Sequence, residues 1–191
     1  MTSPLHDNSL VIDTRRLVRR PGTMVEEQFT APAPADFGTD VLAVPAGDPL
    51  DIELRLESVM EGVLASGTVR ATATGACVRC LENVEDPIDV EFQELFAYPD
   101  RAAHHREVGD EEDDDEYVLG EGDTLDLEPV LRDAVVPTLP FQPVCDEDCP
   151  GLCSECGARL ADDPTHQHEI LDPRWAALRS LTGDETEEKR N

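Results

Sequence analysis

Of the 191 residues in this chain, 39% are hydrophobic and 4% aromatic, so the sequence supports one modest hydrophobic core that metal staples would help to hold. The net charge is −28, from 15 Lys and Arg residues against 43 Asp and Glu residues, which repels phosphate backbones and anionic lipid. That charge favours a basic partner or simply high solubility. No signal peptide or membrane-spanning apolar run is seen, so we expect a cytoplasmic protein with reduced thiols.

The N-terminal segment contains a predicted short strand followed by a cluster of basic residues. Leu10-Val11-Ile12 is apolar enough for a short strand. Four basic residues follow within six positions, and they hold more than a quarter of the chain's positive charge. These residues are Arg15, Arg16, Arg19 and Arg20.

Short strands dominate the prediction up to about residue 97. Residues 24–47 mix short apolar stretches with Pro and Gly, as strands joined by turns do. Charged and apolar residues alternate strictly over 51–57 and again over 88–93, which predicts two half-buried strands. Between them, Gly62 and Gly67 predict breaks that divide an apolar stretch into hairpin-like pieces. The whole pattern indicates an antiparallel sheet with one solvated face.

A change of character follows at residues 100–124, which we predict to be a disordered acidic loop. Residues 110–116 are seven consecutive acids whose mutual repulsion opposes regular structure. The main helix is predicted at 126–136, because its apolar residues recur at helical spacing, Asp126 suits an N-cap, and prolines follow its end. A second short helix is predicted from Asp172 onward, and residues 183–191 should form a disordered tail.

Cysteine and histidine spacing carries the strongest chemical signal. Eight candidate metal ligands fall into four pairs: a first pair (Cys77, Cys80), a middle pair (Cys145, Cys149), a last pair (Cys153, Cys156) and a histidine pair (His166, His168). The first and last pairs are Cys-x-x-Cys motifs, in which a tight turn directs two sulfurs to one point. Tetrahedral zinc takes four such ligands, so eight make two complete structural sites.

Three partitions of these ligands are open. The first joins the first and middle pairs and leaves the last pair with the histidine pair as a local site. The second joins the two Cys-x-x-Cys motifs, as zinc ribbons do. The third makes an all-cysteine site from the middle and last pairs. We prefer the first, because the third leaves a well-formed motif unused and the second makes the two sites cross.

Other uses of these residues fit the sequence less well than structural zinc. A redox pair would sit at a helix start, whereas the first pair lies between predicted strands. A four-cysteine iron–sulfur cluster remains an alternative to zinc, and the histidine pair has the alternative of being ordinary exposed loop residues. A catalytic zinc would keep an open position and a nearby base, which two full ligand sets do not offer. With no phosphate-binding loop or nucleophile motif, the sequence predicts no enzyme.

Taken in order, these motifs resemble one family. Cys77-Val78-Arg79-Cys80-Leu81 precedes an alternating strand ending in residues 92–96, and an acidic insertion and the helix from Asp126 follow. Then come the middle pair, the last pair within 151–157, and Asp172-Pro173-Arg174. Over residues 9–182 the chain resembles the YceD family of bacterial proteins, called large ribosomal RNA subunit accumulation proteins, in a longer form with an extra cysteine-rich segment.

The resemblance implies a non-enzymatic role in accumulating large-subunit (23S) ribosomal RNA. It also implies metal binding through the first and middle pairs, which favours the first partition. Longer members often have another cysteine pair where this chain has the histidine pair. The expected partners are a basic ribosomal protein, large-subunit ribosomal RNA, or both, with no membrane and no small-molecule substrate. The candidate contacts to RNA phosphates are Arg15, Arg16, Arg19 and Arg20.

The fold predicted from all this is α+β: an antiparallel sheet, with a barrel-like closure as an alternative, one main helix and a zinc-stapled C-terminal segment. We expect a β-rich core over residues 1–144 and a metal-binding segment over 145–182 that packs on it. The expected cofactor is zinc, in two structural sites. The alternatives to a ribosome-biogenesis factor are a zinc-stapled protein-interaction adaptor and a metal-dependent RNA-processing enzyme.

Overall fold

Strands account for most of the regular structure in the computed structural model, which describes residues 8–108 and 117–168. Three short 3₁₀ turns, at Asn8–Leu10, Arg15–Leu17 and Val136–Thr138, join its strands and helices. The strands are β1 (Val11–Asp13), β2 (Met24–Pro32), β3 (Phe37–Gly38), β4 (Leu42–Val44), β5 (Pro49–Ser58), β6 (Gly62–Ala76), β7 (Asn83–Ala97) and β8 (Thr124–Asp126). The helices are α1 (Pro99–Val108) and α2 (Glu128–Val135).

The central strand of the main sheet is β6. It pairs with β7 along its whole length, and on its other edge with β5 through residues 63–70 and with β4 through residues 74 and 75. Strand β2 then pairs with β5, and β3 with β4, so every pair is antiparallel. Because Cys77 directly follows β6, the turn between β6 and β7 carries the first pair to one end of the sheet.

Strict alternation is confirmed where the sequence predicted it. Along β5, Leu50, Ile52, Leu54 and Leu56 are buried while the residues between them face solvent. Within the described residues no pairing joins β2 to β7, so the sheet stays open and the barrel-like alternative is wrong.

The predicted breaks at Gly62 and Gly67 are wrong. Both glycines lie inside β6, a single strand of 15 residues. A Cβ atom at Gly67 would collide with the carbonyl oxygen of Glu53 on β5, and one at Gly62 with the carbonyl oxygen of Phe96 on β7. The glycines therefore permit close approach of neighbouring backbones, a second meaning that glycine has in strands.

The main helix is confirmed, with ends slightly inside the predicted 126–136. Leu127, Val130, Leu131 and Val135 are buried against the inner side of the sheet. The side chain of Asp126 accepts a hydrogen bond from the backbone N–H of Glu128 at 3.0 Å. This is the predicted capping interaction, although Asp126 lies two residues before the first helical residue. Pro137 lies in the 3₁₀ turn that ends the helix.

Residues 100–124 are not one disordered loop. Helix α1 occupies Pro99–Val108, and the chain from Tyr117 onward returns to the sheet, where the backbone of Ala97 bonds to Tyr117 and Leu119 at 2.8 and 3.0 Å. Strand β8 then pairs with β1. The prediction was based on the acidic charge of this stretch, but Leu119 and Leu125 are buried and pack in the core.

Several predictions lie outside the described residues: the acidic run 110–116, the second short helix from Asp172 and the tail 183–191. The division into a core over 1–144 and a metal-binding segment over 145–182 stays a prediction. No helix in the described part of the chain is both long and apolar enough to cross a membrane.

Candidate metal centres

The first and middle pairs meet at one point, which we call the first site. Its four sulfurs lie within 4.8 Å of one another, with Cys77 Sγ 3.9 Å from Cys149 Sγ and Cys80 Sγ 3.5 Å from Cys145 Sγ. A disulfide would require about 2.05 Å. Zinc–sulfur bonds of about 2.3 Å in a tetrahedron put sulfurs about 3.8 Å apart, so these four sulfurs fit zinc.

A tight turn positions the two sulfurs of the first pair. The backbone N–H of Leu81 donates to the carbonyl of Cys77 at 2.9 Å, and the N–H of Cys77 donates to the carbonyl of Glu82 at 2.7 Å. The N–H of Arg79 also points at Cys77 Sγ, 3.4 Å away. Leu81 adopts φ +64°, the left-handed region that favours glycine.

The last pair and the histidine pair form a second site, with ligand atoms again within 4.8 Å. Cys156 Sγ lies 3.2 Å from Nε2 of both His166 and His168, whose Nε2 atoms are 2.9 Å apart. Tetrahedral zinc would place sulfur and nitrogen about 3.6 Å apart and two nitrogens about 3.3 Å apart, so the ligands converge slightly more closely than the metal requires.

The turn of the last pair repeats the turn of the first. The N–H of Gly157 donates to the carbonyl of Cys153 at 2.8 Å, and the N–H of Cys153 donates to the carbonyl of Ala158 at 2.8 Å. Gly157 has φ +72° and takes the position of Leu81. The two Cys-x-x-Cys motifs are therefore the same structure built twice.

Burial separates the two sites. Cys77, Cys80 and Cys149 are buried, and only Cys145 of the first site is exposed. Partly buried Val84, Val144 and Leu152 pack around these sulfurs. In the second site Cys153 and His166 are half-buried, while Cys156 and His168 are exposed.

Neighbouring groups shift the pKa values of the first site's thiols in opposite directions. Burial raises the pKa of the Cys77 thiol, but backbone hydrogen bonds from Cys145, Cys80 and Arg79 outweigh it and lower that pKa to about 6. The neighbouring thiol of Cys80, and then that of Cys149, raise the pKa of Cys145 to about 12. Four thiolates this close repel one another, and a divalent cation would relieve that repulsion.

In the second site, backbone hydrogen bonds from Glu155 and Cys156 lower the pKa of Cys153 to about 6. The thiolate is the form that binds metal, so this turn, like the first, favours a metal-ready ligand at neutral pH.

Sequence reasoning missed the arginine inside the first motif. Arg79 Nη1 donates to the carbonyls of Glu147 and Cys149 at 2.9 and 3.1 Å, while its own carbonyl accepts from the N–H of Leu152 at 3.1 Å. A Cβ atom at Gly151 would lie 3.0 Å from that carbonyl. Arg79 thus joins the sheet end to the segment after α2, and its place between two ligands was the available signal.

Three of the four N-terminal arginines are exposed and paired with carboxylates. Arg15 pairs with Asp13, Arg16 with Glu27 and Arg19 with Asp123. The guanidinium of Arg19 also lies 4.7 Å from the centroid of the Tyr98 ring. RNA contact by Arg15, Arg16, Arg19 and Arg20 stays a prediction.

All eight candidate ligands are thus brought together, in the two groups of the first partition. The sequence profile of the YceD family, described as large ribosomal RNA subunit accumulation protein, matches residues 65–182. The chain belongs to the YceD family. The matched range begins within β6 and includes every residue of both sites.

Similar proteins are found in several bacteria. An uncharacterized protein of Mycobacterium tuberculosis strain H37Rv is 48% identical over 181 residues, 95% of this chain and 85% of its own length. One from Mycobacterium leprae is 43% identical over 172 residues, 90% of this chain and 77% of its own. YlbN of Bacillus subtilis is 27% identical over 142 residues, 73% of this chain and 77% of its own. No solved structure matches the chain significantly.

Proposed function

We propose that this chain is a non-enzymatic zinc-binding factor that promotes accumulation of large-subunit (23S) ribosomal RNA and biogenesis of the large ribosomal subunit in the cytoplasm. The observation that carries the proposal is the match to the YceD family, since it covers both sets of candidate ligands. The family's description supplies the RNA, and the convergence of eight ligand atoms supports the metal.

Zinc would serve as a structural ion in this proposal. Cys77, Cys80, Cys145 and Cys149 would hold one ion, and Cys153, Cys156, His166 and His168 a second. Four protein ligands complete the tetrahedral shell of zinc, whereas a hydrolytic zinc keeps one position for water. Burial of three ligands in the first site further opposes access by a substrate. A role without catalysis therefore suits this arrangement better than a metal-dependent RNA-processing enzyme does.

A basic ribosomal protein is the partner that the charge supports best. At −28 the chain repels RNA phosphates at long range and attracts cationic protein segments. Three of the four arginines that the RNA route would use are already paired with carboxylates. Direct RNA binding is the second route, and it would show as loss of binding when those arginines are replaced.

The experiment is gene deletion with complementation in a bacterium that carries this gene. Deletion should lower the ratio of 23S to 16S ribosomal RNA and the amount of large subunit, measured by sucrose-gradient profiles and RNA gels. The unaltered gene should restore both, and Cys80→Ser should not. An unchanged ratio after deletion would contradict the proposal and favour an adaptor unrelated to ribosomes.

A further inference from the structure

The outward side of the main sheet forms a regular surface of four cross-strand rows. Strand pairing aligns one outward residue from each of β2, β5, β6 and β7 in every row. The rows are Met24–Glu57–Leu64–Leu95, Glu26–Arg55–Ser66–Gln93, Gln28–Glu53–Thr68–Glu91 and Thr30–Asp51–Arg70–Asp89. None of these residues is buried, and we call this surface the row face.

Nothing in the described part of the chain packs on the row face. Helix α2 and the buried leucines and valines of the strands lie on the opposite side of the sheet. The exposed side still carries apolar surface at one end, because Met24 is 47% and Leu95 36% exposed. A solvated sheet face has no need of such residues.

Charge on the row face is strongly one-sided. It carries six carboxylates (Glu26, Glu53, Glu57, Glu91, Asp51, Asp89) and two guanidiniums. Both guanidiniums are already paired within the face, Arg55 with Glu57 at 3.1 Å and Arg70 with Glu53 and Asp89 at 2.7 and 3.3 Å. Among the described residues, Glu26, Asp51 and Glu91 have no ion-pair partner, although Asp51 accepts a hydrogen bond from the Thr30 hydroxyl at 2.7 Å.

The centre of the row face also holds an unsatisfied polar group. The hydroxyl of Thr68 stands between Glu53 and Glu91 in its row and makes no hydrogen bond among the described residues. The neighbouring outward residue on β6, Ser66, is also small. The middle of the face is therefore low and polar, with carboxylates on both sides.

We propose that the row face binds an extended, lysine- and arginine-rich polypeptide segment. This inference rests on the proposed function for the class of partner, and it adds where that partner docks. Four strands about 4.8 Å apart, and rows about 6.8 Å apart, make a face of about 14 by 20 Å, which suits a segment better than a whole domain.

Charge excludes the other occupants of the row face. RNA phosphates and a second copy of the face both carry the same sign as its carboxylates. Residues 169–191 of the chain itself contain six acidic and four basic residues, so they are a poor counterpart as well. Basic side chains over the carboxylates and apolar ones over Met24 and Leu95 complement what is exposed.

The test is fluorescence anisotropy of the zinc-loaded full chain with a labelled peptide that repeats Arg-Ser-Lys-Ser four times, at about 150 mM salt to screen distant charges. The variant Glu26→Lys/Glu91→Lys reverses the charge of two carboxylates that have no ion-pair partner. The control Glu111→Lys/Glu112→Lys changes net charge equally, in the acidic run. We expect about a tenfold or greater rise in Kd for the face variant and less than about a twofold rise for the control.

If the lysine variant does not fold, Glu26→Gln/Glu91→Gln replaces it, with an expected rise in Kd of about threefold against Glu111→Gln/Glu112→Gln. Equal losses in face and control variants, or no peptide binding to the unaltered chain, would overturn the proposal. Tighter binding of single-stranded RNA of the same length would do so too. The peptide assay involves no ribosome, so its failure is separate from an unchanged 23S ratio after deletion.

Discussion

The two candidate metal sites use the same turn in two different surroundings. Both Cys-x-x-Cys motifs have the same pair of backbone hydrogen bonds, and in both the residue after the second cysteine adopts the left-handed conformation. The first turn, however, sits at the end of β6 with apolar neighbours, while the second lies in an exposed loop. Local sequence therefore fixes the geometry of the ligands, and the attachment of the turn fixes what a metal would stabilise.

The span that each site closes differs as well. Cys77 and Cys149 of the first site are 72 residues apart, whereas the second site spans only residues 153–168. Closing a longer loop removes more conformational entropy from the unfolded chain. We expect the first site to hold the whole fold and the second to order its own loop.

Loss of a first-site ligand should have the largest effect. Cys80→Ser should lower the free energy of unfolding by about 5 kcal/mol or more, because structural zinc contributes folding free energy directly. The matched variant Cys156→Ser should cost about 1 kcal/mol or less, since its surroundings are exposed. Thermal unfolding of both zinc-loaded proteins measures the difference, and equal losses would remove the distinction between the sites.

The bridge made by Arg79 should come second. Arg79→Ala removes two hydrogen bonds from a charged donor to the carbonyls of Glu147 and Cys149, at a cost of about 1–3 kcal/mol. Arg79→Lys should recover part of that, because it keeps the charge without the planar fork. Urea denaturation measures both; a neutral Arg79→Ala would show that the bridge contributes nothing to stability.

Exchanging leucine and glycine at the residue after each motif should change stability in opposite directions. Leu81 is 69% exposed, so Leu81→Gly loses little burial and relieves the left-handed strain, and it should stabilise the chain by about 1 kcal/mol. Gly157→Leu introduces the same strain where a Cβ meets no neighbour, and should cost about 1–2 kcal/mol locally. Changes of the same sign in both variants would contradict the equivalence of the turns.

A surface ion pair should matter least. Arg159 Nη1 lies 2.9 Å from Glu82 beside the first turn, but both side chains are well exposed. Arg159→Ala should therefore change the free energy of unfolding by less than about 1 kcal/mol. A loss as large as that of Arg79→Ala would contradict this ranking and mean that the exposed pair stabilises the chain as much as the Arg79 bridge does.

Sequence patterns identified the elements whose spacing is regular. Strand β5 and helix α2 follow from alternation and from helical periodicity, and the grouping of the ligands follows from their spacing and the family resemblance. The glycines in β6 were misread because their role depends on the backbones beside them. Helix α1 and the return through Leu119 were missed because the acidic charge nearby outweighed a few apolar residues.

For the first site, the sequence predicted the four sulfur ligands but none of the contacts that hold them in place. Leu81 adopts a positive φ, and the sequence could not predict this because leucine rarely does so. The carbonyls bound by Arg79 lie about 70 residues away, and no local pattern connects them. Spacing predicts which atoms can bind a metal, while the contacts that hold the turn in place depend on the tertiary fold.

Zinc content per chain tests the central claim most directly. Native mass spectrometry of the full chain should find two zinc ions. The double variant Cys153→Ser/His168→Ala should hold one zinc ion, and its main unfolding temperature should stay close to that of the unaltered chain. One zinc in the unaltered chain, unchanged by that substitution, would contradict the account and leave His166 and His168 as ordinary loop residues.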